Sequence, residues 1–138
     1  MQHKFMHFRN SLGRRYCTLR HRRMYNLIGV SWKGTAPEES IKDVKASILQ
    51  MVKHHNCNAI LNDVQDFYSA PTEILAELTK IEWDEEAYNA GVQYLAHVLK
   101  PDSDSPLAED VTVKGLEIKF FTTKLDALDW LKSKLKVN

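Results

Sequence analysis

The sequence NAILNDV, residues 58–64, decides the fold, because its apolar side chains fall on both faces of an extended chain. The sequence VQYLAHVL, residues 92–99, has the same character. Strands that are apolar on both faces lie in the centre of a parallel sheet that helices cover on each side. The run NLIGVSW at residues 26–32 precedes this pair, and LEIKFF at residues 116–121 follows it. The four runs therefore predict an α/β protein.

Helix-patterned segments separate three of these runs, as parallel strands require, since each connection must return to the same end of the sheet. The first segment has apolar positions on one helical face from Ile41 to His55, and Asn56 is its predicted stop. A second helical region is expected to bend at Trp83-Asp84 and to end at Gly91. A last helix carries an apolar stripe made of Leu125, Leu128, Leu131 and Leu135.

The start of the chain predicts an antiparallel hairpin. Residues 15–21, RYCTLRH, alternate in polarity and can turn through residues 22–25 into the strand that ends at Trp32. A short helix is expected between Pro106 and Gly115. The expected fold is a mixed, largely parallel sheet of about five strands with an opening antiparallel hairpin, in the order ββαβαβαβα. Residues 1–14 have no clear period and predict a possible disordered basic arm, so residues 15–138 are expected to form a single domain.

The length, the apolar fraction and the cysteine count of the chain are typical of one domain from a reducing compartment. The chain has 138 residues, of which 43% are apolar, and its two cysteines, Cys17 and Cys57, make no disulfide framework. No apolar run is long enough to span a bilayer, and no apolar stretch that could serve as a signal peptide follows the basic N-terminus. These observations predict a cytoplasmic protein.

The net charge of +1 hides an asymmetry along the chain. Residues 1–33 carry eight Lys or Arg and no acid, whereas the remainder carries eleven basic and eighteen acidic side chains, a net charge of −7. A basic segment of this kind is typical either of nucleic-acid contact or of a solvated edge hairpin whose charges discourage aggregation. We favour the edge hairpin and disfavour nucleic acid, because neither an RNA-reading aromatic motif nor a recognition-helix pattern accompanies the charges.

No residue pattern predicts a catalytic residue, a metal or a cofactor. His54, His55 and Cys57 are close in sequence, but a closed zinc site needs a fourth ligand at a matching spacing. His97 lies in a central strand, where a buried histidine more often satisfies a hydrogen bond than acts as a base. Neither cysteine has a histidine partner evident in the sequence, which disfavours a thiol nucleophile.

Polar residues follow the first central strand, where ligands of parallel sheets usually bind. They are Asp63, Asp66, Ser69 and Thr72. Such residues are also common as turn formers and helix caps. We expect a partner-binding or regulatory loop here, without catalysis.

Five phrases of the chain resemble a known family when they are taken in order. They are VSWKG at 30–34, AILNDVQDF at 59–67, AGVQYLAHVLKPD at 90–102, LEIKFFTT at 116–123 and LDALDWLKSKL at 125–135. Over roughly residues 15–135 the chain is similar to the SpoIIAA-like, STAS-related proteins of Bacteroidetes-type bacteria. The resemblance implies a mixed sheet flanked by helices, related to STAS and CRAL-TRIO folds.

We expect a non-enzymatic regulatory or protein-interaction module of STAS-like type that contacts a protein partner or a second copy of itself, because the strand–helix order fits and the sequence shows no catalytic constellation. Anti-sigma antagonists of STAS type carry a phosphorylatable serine after the central strand, where this chain has Ser69 and Thr72. Their Asp-x-Ser-Gly phrase is replaced by FYSAP at 67–71. The CRAL-TRIO relation implies an alternative, a carrier of a small ligand or lipid in an apolar pocket. Nucleic-acid contact through the basic N-terminal region is a third.

Overall fold

The structure, a computed structural model, describes residues 5–34, 36, 40–67, 81–100 and 111–135. The strands in these ranges are β1 (Phe5–Arg9), β2 (Arg15–Arg22), β3 (Leu27–Gly34), β4 (Ala59–Phe67), β5 (Tyr94–Val98), β6 (Val111–Val113) and β7 (Leu116–Phe121). The helices are α1 (Ile41–His55), α2 (Ile81–Asn89) and α3 (Lys124–Leu135).

All seven strands belong to one mixed sheet with the order β1-β2-β3-β4-β5-β7-β6. The four central strands, β3, β4, β5 and β7, pair in parallel. Antiparallel pairs complete the sheet on both sides, β1-β2-β3 at one edge and β6-β7 at the other. The predicted α/β fold with an opening antiparallel hairpin is confirmed, and the sheet has seven strands rather than about five.

The two additional strands are segments for which the sequence predicted other structures. Phe5–Arg9, expected in a disordered arm, pairs with β2 because Met6 and Phe8 alternate onto the core. Val111–Val113, expected in a short helix, pairs with β7 through a turn at Lys114 and Gly115. Both turn residues have positive φ, 49° and 93°, which suits a two-residue hairpin turn. Gly115 therefore closes a hairpin and does not end a helix.

Helices pack on both faces of the sheet. On one face, which we call the α1 face, α1 and α2 bury the larger core, which includes Trp32, Ile48 and Leu95. On the opposite face, the α3 face, Ala127 and Leu131 of α3 pack on small and apolar residues of β4 and β5. Over the described residues α3 packs on β4, β5 and β7. Within the described residues, α3 covers β3 only at Leu27, and the α3 face of β1, of β2 and of the rest of β3 is open.

The first helix follows its sequence closely. Its buried residues are Ile41, Val44, Ile48, Met51 and Val52, which is the predicted apolar face. Asn56 ends the helix in the left-handed conformation at φ 55°. The sequence also predicts a capping box at Thr35–Glu38 before this helix, and it lies largely outside the described residues.

The other two helices differ from their predictions in detail. Helix α2 continues through Asp84 instead of bending there, and the Asp84 side chain is buried within it. The sequence TKLD at 123–126 predicts a capped helix start, and the structure confirms it, since the Asp126 N–H donates to Thr123 Oγ1 at 3.1 Å. The predicted leucine stripe is wrong at Leu125, which is 67% exposed. Ala127 takes the contact position, because a small residue lets the helix approach the sheet.

The two leucines of α3 provide a matched test of this packing. Leu131→Ala removes a fully buried side chain and is expected to lower the free energy of unfolding by about 2–5 kcal/mol. Leu125→Ala, on the exposed side of the same helix, is expected to change it by less than about 0.5 kcal/mol. Urea unfolding of both variants measures the difference, and equal losses would contradict the described orientation of α3.

Candidate functional site

Basic side chains converge on the open part of the α3 face. They line a concavity of about 330 Å³ between β1, β2, β3, the edge of β4 and the start of α3. The basic lining residues are Arg15, Arg20, Arg22, Lys33 and Lys124, and Asp63 is the acidic one. We call this concavity the basic groove. On a chain of net charge +1, it is a strong local concentration of positive charge.

Strand periodicity selects the residues of the groove. Successive side chains of a strand point to opposite faces, so Cys17 and Leu19 of β2 enter the core while Thr18, Arg20 and Arg22 line the groove. In the pairing of β2 with β3, Thr18 lies opposite Ser31 and Arg20 lies opposite Gly29. From Cys17 to Arg20 the strand therefore alternates between the core and the groove, and Arg22 continues the groove side.

Gly29 forms part of the floor of the groove. A methyl group on Gly29 would lie 3.7 Å from Arg22 Nε and 3.7 Å from the Arg20 carbonyl oxygen, which is ordinary contact. Arg22 therefore extends over the bare backbone of β3. A glycine inside a strand often marks a place where a ligand approaches closely.

The Nε atom of Arg22 is a buried donor without a partner. It is shielded from solvent, and no acceptor among the residues that the structure describes makes a hydrogen bond with it. A buried donor that makes no hydrogen bond costs free energy, and the cost is larger for a charged group. An anion bound in the groove would supply the acceptor.

Lys124 brings a further cation to the groove from the first turn of α3. Desolvation lowers the pKa of its ammonium group from the ordinary value, and repulsion from Arg22 and Arg20 lowers it further, while Asp63 opposes these effects. The cations are thus close enough to repel one another. An anionic ligand would relieve this repulsion. The helix dipole of α3 also favours negative charge at its N-terminal end.

Two flat rings, from Phe5 and His7, stand at the β1 side of the groove. Their centroids are 5.5 Å apart, and Phe5 is 53% exposed. His7 Nδ1 lies 3.1 Å from Thr18 Oγ1. Desolvation, then Arg15 and Arg9, lower the pKa of His7. Both rings line the groove together with the cations.

The predicted regulatory residues are placed differently from expectation. β4 continues to Phe67, so Asp63 and Asp66 lie on a strand and not in a loop. The register shifts between Ser31–Asp63 and Lys33–Asp66, which gives β4 one extra residue and puts both aspartates on the α3 face. Asp63 lines the basic groove. Ser69 and Thr72 lie outside the described residues.

A buried polar chain crosses the α1 face of the central strands. Trp32 Nε1 donates to Asn62 Oδ1 at 2.8 Å, and Asn62 Nδ2 donates to His97 Nδ1 at 3.0 Å. The expected hydrogen bond of a buried histidine is thus present at Nδ1, whereas Nε2 has no partner among the described parts of the chain. Burial lowers the pKa of His97 to about 3, so the ring is neutral at physiological pH.

The remaining buried groups do not assemble a reactive site. Burial raises the pKa of the Cys57 thiol to about 12 and that of Cys17 further, so neither forms a thiolate nucleophile readily. The Cys57 thiol donates to Asn26 Oδ1 at 3.4 Å. Burial raises the pKa of Asp84 to about 7. Within the ranges that the structure describes, no three His, Cys, Asp or Glu side chains are grouped to hold a metal ion.

In the sequence, the cations of the groove stand out only as part of a charged N-terminal segment. Their arrangement had a signal, since Arg20 and Arg22 share the period-two face that Thr18 begins, and Gly29 interrupts an otherwise bulky strand. No sequence signal links Lys124 to the groove, because Lys124 lies about a hundred residues from Arg20 and Arg22 in the chain.

No protein-family model matches the chain, and no curated protein matches it. The relation to SpoIIAA-like proteins therefore stays a prediction. Over the described parts of the chain, none of the helices is long and apolar enough to cross a membrane.

His97 and Asp84 have opposite effects on stability as pH changes. The folded state keeps His97 neutral below pH 6.5, so this residue costs stability as pH falls from about 6.5 toward 3. It keeps Asp84 protonated up to about pH 7, so this residue costs stability as pH rises from about 4 to 7. Between about pH 4.5 and 6.5 the two slopes cancel.

Variants with one substitution should show separately how each residue changes the free energy of unfolding with pH. Asp84→Asn is expected to make stability rise with pH by about 1.4 kcal/mol per pH unit relative to the unaltered chain, and His97→Gln to make it fall by a similar amount. Urea unfolding at pH 4.5, 5.5 and 6.5 measures both, with the double variant as the control that restores the original slope. Parallel curves for all four proteins would refute the assignment.

Proposed function

We propose that this chain is a non-catalytic binding module whose ligand is anionic and is held in the basic groove. One observation carries the proposal: five basic side chains and one acid line an open concavity on the sheet. This keeps the expectation of an interaction module of STAS-like type. It moves the contact surface from the predicted loop at 63–72 to the face that Asp63 shares with β2 and β3.

Electrostatics favour this role over a structural one. Like charges that lie close together destabilise a folded protein. Desolvation lowers the pKa of Lys124 most, and repulsion from Arg22 and Arg20 adds to this effect. In the described part of the chain, the salt bridges Lys114–Glu85 and Lys134–Glu117 lie outside the basic groove and do not neutralise its cations. A cluster of cations that destabilises the folded chain does not serve its structure, and binding of an anionic ligand would offset the repulsion.

The alternatives find less support. A lipid carrier needs an enclosed apolar cavity, whereas the basic groove is open and charged. A second concavity, between α1 and α2, is also open and is lined by Lys42, Lys45, Lys53 and Glu86 among others. A catalytic module would need an activated group, and the buried His97 and cysteines lack the access and the pKa for that role.

Charge reversal in the groove tests the proposal, with inorganic tripolyphosphate as the probe. Arg20→Glu is expected to weaken tripolyphosphate binding at least about tenfold, because it replaces an attraction by a repulsion inside the site. Arg23→Glu changes the net charge equally at an exposed turn outside the groove and should weaken binding less than about twofold.

Calorimetric titration of the three proteins at low salt gives the affinities. In parallel, amide chemical shifts should move at Thr18, Gly29 and Ser31 upon titration of the unaltered chain. Equal effects of the two reversals, or shifts confined to other surfaces, would refute the proposal.

Gly29 offers an independent test that leaves the charges unchanged. Gly29→Ala should retain binding, because its methyl group makes ordinary contacts. Gly29→Val places a branched side chain where Arg22 extends and should weaken tripolyphosphate binding several-fold while the chain stays folded, since valine suits a strand. Circular dichroism checks the fold, and unchanged affinity in the valine variant would show that the ligand does not approach the floor of the groove.

A further inference from the structure

The rings at the β1 side of the groove have no role in holding a bare inorganic anion. Phe5 keeps 53% of its surface exposed although it is apolar. Its side chain lies on the same face as Arg20, since the two residues pair directly across β1 and β2. An exposed ring beside aligned cations is the arrangement with which proteins hold nucleobases next to phosphates.

We infer that the basic groove binds single-stranded nucleic acid, with phosphates at Arg20, Arg22 and Lys124 and a base stacked on Phe5. This inference rests on the proposed function and names the class of its ligand. It reverses the preference of the sequence analysis, which found no RNA-reading aromatic motif. The rings and the cations are brought together by strand pairing, so no contiguous motif records them.

The spacing of the cations suits an extended polyanion. Arg20 and Arg22 are two residues apart on one strand, which separates their Cα atoms by about 6.8 Å. Lys124 approaches from the opposite wall of the groove. Charges at intervals along a groove follow successive phosphates, whereas a single small anion would engage one position.

Single-stranded nucleic acid fits the rings better than duplex does. The bases of a duplex are stacked inside it and are read through its grooves by an inserted helix or ribbon, so Phe5 could not stack on them. Single strands offer unstacked bases that aromatic side chains can cover. An acidic protein segment or an anionic membrane would meet the cations but would gain little from the ring.

Binding of a fluorescein-labelled 12-nucleotide oligouridine, followed by anisotropy, tests the inference. Phe5→Leu keeps an apolar side chain but removes the ring, and it is expected to weaken oligouridine binding at least about fivefold. It should leave tripolyphosphate binding unchanged within twofold. Tyr88→Leu, which removes a partly exposed ring from α2 outside the groove, is the matched control and should leave both affinities unchanged.

The salt dependence adds a second measurement. For a single strand, log K falls with log salt with a slope of about −0.7 per neutralised phosphate. Lys124→Gln is therefore expected to make the slope shallower by about 0.7 for oligouridine, and Lys114→Gln, on the turn between β6 and β7, should leave it unchanged.

The outcomes separate this inference from the proposed function. Groove-dependent tripolyphosphate binding together with oligouridine binding that ignores Phe5→Leu would overturn the nucleic-acid inference and leave the proposed function standing. Tighter binding of polyglutamate, of phosphatidylserine vesicles or of a duplex of equal charge than of oligouridine would also overturn it. If no anion binds in the groove, both fail.

Discussion

The width of a helix relative to a sheet is the constraint on which the rest of this structure depends. Seven strands about 4.8 Å apart span roughly 30 Å, whereas one helix with its side chains is about 10–12 Å wide. Helix α3 packs on β4, β5 and β7 on its face. In the described part of the chain, the same face of β1, of β2 and of β3 beyond Leu27 is not covered by α3, so its side chains must tolerate water. The cations of β2 and β3 meet that requirement, and their positions on this face are the basis of the proposed anion-binding surface.

On the opposite face of the sheet, the α1 face, helices α1 and α2 exclude water. There the polar groups that remain must find partners inside the protein. Trp32, Asn62 and His97 form one chain of hydrogen bonds across three neighbouring parallel strands. The chain links β3, β4 and β5 in one register, since a slip of one residue would move each polar group to the other face. This arrangement leaves a neutral histidine deep in the core, and its Nε2 atom has no hydrogen-bond partner among the described residues.

Sequence reasoning recovered the fold where side-chain periodicity was strong and failed where pairing decided. Helix α1 was predicted residue by residue, because five buried positions repeat at helical spacing. Phe5–Arg9 was missed, because its alternation covers only five residues and its order depends on pairing with β2. Asp63 and Asp66 were assigned to a loop, since polar residues suggest turns. In the sheet they extend β4 through a bulge, because the α3 face at that point is open to water.

The sequence by itself determined the class of fold, the central strands, the course of α1 and the concentration of basic residues near the N-terminus. These are local properties, set by the period of apolar side chains and by composition. Only the tertiary structure decided what the basic residues form. Strand pairing brought Phe5 beside Arg20 and set Gly29 opposite it, and the packing of α3 delivered Lys124 from the far end of the chain. A groove is a property of neighbours in space, and no spacing along the chain specifies which cations will share it.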